Sequence, residues 1–136
     1  MITARDTFLH LLSDNLPVGT LHPVRVDPAD RASNPLQMNA VNVAFGNLTS
    51  GIGLTSQQTF IDVVYDAEND AADMVSTLFV LLKTCYFTPL YDYSDPANPV
   101  ALNTNLMWDR HRISFKRIAS QEYCHYSCTL STKLYT

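Results

Sequence analysis

Long apolar runs are absent from this chain, and glycine, cysteine and charge are all sparse. No stretch approaches the roughly 18–20 consecutive apolar residues that cross a bilayer as a helix. Met1–Asp14 lacks the apolar segment of a secretory signal and reads instead as a short amphipathic helix. The three cysteines are an odd number without framework spacing, which excludes a disulfide-stapled scaffold and makes a reducing cytosol the expected origin. Charged residues are 16% of the chain and the net charge is −4, which argues against a protein that wraps nucleic acid through its overall field. Three of the four glycines fall within Gly46–Ser56. That stretch has no Lys-Ser/Thr pair and leads into a strand, so it is no phosphate cradle. It joins two strands and is expected to be a flexible arm or an ordered contact loop.

What is present is a fold signal centred on Gln57–Tyr86. Ile61, Val63 and Tyr65 alternate with Phe60, Asp62 and Val64 in a run rich in β-branched and aromatic residues, which predicts a strand. The period then changes. Ala71, Met74, Val75, Leu78, Leu81, Leu82 and Cys85 fall at the three-or-four spacing of one buried helical face. Asp and Asn residues between Asp66 and Asp73 suit its N-cap and positive pole, and Lys83 suits its C-terminal end.

The rest of the chain arranges itself around this unit. Thr3 followed by Asp6 predicts an N-cap for a helix that buries Phe8, Leu11 and Leu12 and stops at Pro17 and Gly19. Leu21–Val26 carries Pro23 and is expected as an edge or an irregular strand, and Asp27–Pro35 reads as a loop. Met38–Phe45 alternates as a strand. Phe87–Pro99, with three prolines and the tyrosines Tyr91 and Tyr93, breaks the pattern. Val100–Trp108 and Ile113–Ile118 are strand candidates. Glu122–Leu134 alternates most clearly, with Cys124, Tyr126, Cys128, Leu130 and Leu134 on one face and His125, Ser127, Thr129, Ser131 and Lys133 on the other. At 136 residues the chain is expected to form one α+β domain over residues 1–136, a mainly antiparallel sheet with an N-terminal and a central helix on one face.

Catalytic chemistry finds little support. Cys124 and Cys128 lie about 13 Å apart along one strand face, too far for a shared zinc or a disulfide. Cysteine packing is expected there, with His125 pointing the other way. Asp109, His111 and Ser114 are the residue types of a hydrolytic triad, but no nucleophile-elbow signature accompanies them, and an exposed turn explains them. The acids of residues 62–73 lack the spacing of a calcium loop and are expected as caps and a solvated face. No cofactor or metal is expected.

Charge is split along the chain. Residues 60–100 carry seven acids against Lys83, while residues 101–136 carry Arg110, Arg112, Lys116, Arg117 and Lys133 against Asp109 and Glu122. Such a chain can stack with copies of itself, or the two regions can pair within one copy.

In the order of its elements the chain resembles the tail-terminator, or tail-completion, proteins of long-tailed bacteriophages. The resemblance rests on TARDTFLHLL leading to LHPVRV, on NAVNVAF, on the strand-to-helix unit TFIDVVYDAENDAADMVSTLFVLL, and on the closing strand YCHYSCTLSTKLY. It implies a structural virion protein, made in the host cytoplasm and not an enzyme. Such a protein forms a homo-oligomeric ring, typically a hexamer, on the head-proximal end of the tail tube. There it ends tube growth and docks to the head connector, with DNA passing through unread and no membrane involved. Contacts are expected from Asn47, Leu48, Thr49, Ile52, Leu54 and Thr55, from the acids Glu68, Asp70 and Asp73, and from Arg110, Arg112, Lys116 and Arg117. A head-completion or connector adaptor is the neighbouring reading. A small intracellular α+β enzyme and a nucleic-acid module working through Arg110–Arg117, Trp108 and Phe115 are more distant ones.

Overall fold

A computed structural model describes residues 2–24, 36–120 and 122–135. The chain runs α1 (Ile2–Asn15), β1 (Leu21–Val24), β2 (Ala40–Gly51), β3 (Leu54–Tyr65), α2 (Glu68–Thr84), β4 (Phe87–Asp92) and β5 (Val100–Met107). A 3-10 turn (Arg110–Arg112), β6 (Lys116–Ile118) and β7 (Cys124–Tyr135) complete it. The strands form one seven-stranded sheet in the order β1-β2-β3-β7-β5-β4, with β6 beside the first half of β7. Among the described residues only β1 against β2 is parallel; the other pairs are antiparallel. This is the expected α+β architecture. Asp27–Pro35, expected as a loop, lies outside the described residues.

The alternation read in the sequence sets which side is covered. Val41 faces Val63, Val43 faces Ile61, and Ile61 faces Cys128 across β2, β3 and β7. All five are fully or almost fully buried, together with Leu78 and Leu82 of α2 and Phe8 and Leu12 of α1. Burying one such side chain stabilises by about 1.5–3 kcal/mol, so this shared layer holds both helices on one face. Trp108 links them. Its ring meets Phe8 edge-on at 5.6 Å, and its indole N–H donates to the Leu82 carbonyl at 2.8 Å. That carbonyl belongs to the last turn of α2, where four C=O groups have no partner within the helix. The indole therefore serves as a tertiary C-terminal cap.

Three local expectations are corrected. Thr3 is not an N-cap, because Ile2 is already helical. The N-cap of α2 is Ala67, with no side-chain cap bond, so its acids act only as first-turn charges, Glu68 and Asp70 against Lys83 in the last turn. Phe87–Pro99 does not wholly break the pattern of elements: Phe87–Asp92 is strand β4, paired with β5. Pro89 is tolerated because β4 is the outermost strand. Helix α1 closes this edge, since the Thr7 hydroxyl accepts from the Tyr91 N–H at 3.0 Å and donates to its carbonyl at 3.4 Å. His10 stacks on Tyr93 at 3.9 Å beside it.

Candidate assembly surface

Gly46–Ser56 is neither a flexible arm nor a loop. β2 continues to Gly51 and β3 begins at Leu54, so a two-residue turn, Ile52-Gly53, joins them. Gly53 sits at φ 70°, a left-handed conformation that glycine adopts without strain. A register shift between Phe45 and Leu48 marks a bulge at Gly46. A Cβ there would meet the Phe60 ring at 3.1 Å, so glycine lets that ring lie against the bulge. The Gln57 amide donates to the Gly46 carbonyl at 2.9 Å and satisfies the irregular backbone.

The extension is stiff because β7 backs it to the end. Leu54 pairs with Tyr135, Thr55 with Leu134 and Gln57 with Thr132. Buried Thr59 and Thr132 share a hydroxyl contact at 3.3 Å, and Thr132 donates to the Gln57 carbonyl at 2.9 Å. The result is a ribbon backed by the core at Leu134 and exposed on β2 from Asn47 to Gly51. Of its predicted contact residues, Asn47, Leu48 and Thr49 are exposed on β2 and Leu54 and Thr55 are half-buried on β3. Ile52 is fully exposed at the tip. No residue from Gly46 to Ser56 is charged. On the sheet face away from the helices, a groove of about 440 Å³ opens at the ribbon's base, lined by Gly46, Asn47, Thr49, Ser56, Gln58, Phe60 and Ser131, with Gln57 at its side.

The predicted charged residues are divided among separate local contacts. Glu68 and Arg117 meet each other: Glu68 Oε1 accepts from Arg117 Nη1 at 2.5 Å and from the Tyr126 hydroxyl at 2.7 Å, and Oε2 accepts from Cys124 Sγ at 2.8 Å. The Arg117 bond, then those from Cys124 and Tyr126, hold the Glu68 carboxyl down at about 2. The same carboxylate pushes the Cys124 thiol and the Tyr126 hydroxyl up. Cys124 is therefore not packing apolar surface as expected, whereas Cys128 is buried. The pair is exposed, so it fixes geometry more than it stabilises. Arg110 lies over the Tyr86 ring at 4.8 Å, and Arg112 reaches Asp109 at 3.5 Å. Asp70 and Asp73 on α2 and Lys116 on β6 are exposed. Asp109 Oδ1 accepts from the backbone N–H of His111, not from its ring, so these two residues form a turn and not a catalytic dyad.

One polar site was not anticipated. Asp62 is not part of a solvated acidic face: it is 2% exposed, and its Oδ1 lies 2.8 Å from His125 Nε2. Buried Asn42 stands beside it and exchanges hydrogen bonds with the Gln37 backbone. The signal was a carboxylate inside a strand otherwise made of Ile, Val and Phe, where a charge needs a partner. The partner is on β7, in a register that no local pattern announces.

Among the described residues no group of three or more His, Cys, Asp or Glu side chains could hold a metal ion, and no helix is long and apolar enough to cross a membrane. No protein-family model, curated protein or solved structure matches this chain.

Proposed function

We propose that this protein is a structural ring subunit at the head-proximal end of a bacteriophage tail tube. Copies of the chain close into a ring, typically a hexamer. One side of the ring ends tube polymerisation and the other docks to the head connector. The observation that carries this reading is the β2–β3 hairpin, uncharged from Gly46 to Ser56, backed by β7 and tipped by a fully exposed Ile52. A strand pair held in register presents a defined contact surface, whereas a floppy loop would have to be ordered at a cost of about 1–2 kcal/mol per residue. The order of elements, which resembles that of tail-terminator proteins, supports the same reading. Arg117 and Glu68 are bound to each other yet stay exposed, and with Asp70, Asp73, Arg110, Arg112 and Lys116 they are the charged rim candidates.

The test is direct imaging. Purified protein examined by mass photometry and negative-stain microscopy, alone and with isolated tail tubes, should give closed rings and a cap on one end of each tube. Protein that stays monomeric at high concentration and leaves tube ends bare would refute the reading.

A further inference from the structure

The sheet has a gap between β5 and β6, and we infer that it is a docking slot for a short extended segment of a partner protein, one that carries acidic side chains on one face. Such a slot requires no ring. On this side β7 has strand neighbours only at the two flanks, β6 along residues 125–127 and β5 along residues 133–134. Over residues 128–132, about 17 Å of strand, β7 is paired with β3 alone. The ladder fixes which peptide groups face the gap. The Trp108 N–H donates to the Tyr86 carbonyl at 3.0 Å, on the β4 side. Peptide groups alternate in direction along an antiparallel strand, so those of Met107 point to β7, where Lys133 lies opposite. Counting back in twos from Lys133, the N–H and C=O groups of Ser131 and Thr129 point into the gap. Among the described residues no loop or side chain hydrogen-bonds to them. An unpaired strand edge is a template for another strand, and the flanking β5 and β6 limit the addition to a few residues.

A cavity of about 540 Å³ lies along this edge, with Thr129, Ser131 and Lys133 of β7 on one side. Asp109 and Arg112, from the connection that follows β5, face them across it. Its charge is positive. Lys133 is half-buried and has no carboxylate partner among the described residues. Arg112 meets Asp109 through Nε alone, at 3.5 Å, so its terminal nitrogens are not engaged. The other Asp109 oxygen accepts from the His111 N–H at 2.9 Å. Two cations against one acid already held in its own turn, on a chain of net charge −4, favour a negative side chain. Leu130 and Trp108, both buried, give the cavity an apolar wall on the core side. An added strand turns successive side chains to opposite faces, so the occupant that fits alternates apolar and acidic residues. Backbone hydrogen bonds supply the affinity, and the alternation supplies the choice of partner.

The probe is an end-capped pentapeptide, Ala-Glu-Val-Glu-Ala, compared with Ala-Gln-Val-Gln-Ala, inorganic phosphate and a short single-stranded DNA. In amide NMR of the full chain, the Glu peptide should shift the Thr129 and Ser131 amides and slow their hydrogen exchange. It should bind at least about fivefold more tightly than the Gln peptide, and added salt should narrow that preference. Arg112→Gln combined with Lys133→Gln should erase the preference. Lys83→Gln, exposed on α2 and away from the slot, should leave it intact. No change at Thr129 and Ser131 under excess peptide, or equal affinity for the Glu and Gln peptides, would overturn the inference. Phosphate or DNA binding at the same amides more tightly than the Glu peptide would overturn it too, and would make the slot a phosphate site. These readouts do not depend on oligomeric state, so a negative result here leaves the ring reading standing, and protein that never forms rings leaves the slot standing.

Discussion

The indole of Trp108 offers the sharpest test of how the two helices are held. Trp108→Phe keeps a ring for Phe8 to pack against, and removes the N–H that satisfies the Leu82 carbonyl. Leu82 is fully buried, so water cannot replace the donor. Leaving a buried carbonyl unpaired costs about 1–3 kcal/mol, and the lost ring volume adds about 1 kcal/mol. The expected loss is therefore about 2–4 kcal/mol. For a chain of this length each kcal/mol lowers the melting temperature by about 3–5 °C. Urea titration should show a lower midpoint with an unchanged slope. The protein has one tryptophan, so circular dichroism must report the transition instead of fluorescence. Hydrogen exchange should quicken at Thr84, Cys85 and Tyr86, where α2 ends. Phe8→Leu is the control: it keeps the hydrogen bond and loses the edge-on ring contact, so the exchange pattern at the end of α2 should not change. A Trp108→Phe loss below about 0.5 kcal/mol, with unaltered exchange, would show that the indole packs without capping.

Three further outcomes follow from the site geometry. Glu68 has a folded-state pKa of about 2, below the ordinary 4.5, so its contribution to stability is full above about pH 4.5 and disappears as pH falls toward 2. Thermal melts at stepped pH should show Glu68→Gln losing less across that window than the wild-type chain; identical slopes would remove Arg117, Cys124 and Tyr126 as the cause. Gly53→Val forces a β-branched residue into the left-handed region and should lower stability by about 1–3 kcal/mol, whereas Gly51→Ala should stay within about 1 kcal/mol, since the nearest atom to its new methyl lies 3.7 Å away. His125→Ala removes a partner of buried Asp62 and should cost about 3 kcal/mol or more. A double-mutant cycle with Asp62→Asn should then return a clear coupling energy, and additive effects would mean the 2.8 Å contact carries no weight.

The sequence by itself determined those features that depend on near neighbours. The period-two run in β7 told which side chains are buried, because successive strand residues point to opposite faces. The three-or-four spacing in α2 told which stripe meets the sheet. Pro23 narrowed β1 to an edge or an irregular strand, and the sheet order puts it at the edge, where a missing N–H does no harm. Only the tertiary structure decided the rest, and for one physical reason: the deciding partner is far away in the chain. Gly46–Ser56 has the composition of a loop, yet it is a ladder because β7 backs β3 along its whole length. Phe87–Asp92 is rich in breakers, yet it is a strand because Thr7, 84 residues away, satisfies its outer edge. Asp62 reads as one more surface acid until His125, 63 residues on, binds it in the interior. Glu68 and Arg117, 49 residues apart, read as two separate charges until the fold turns each toward the other.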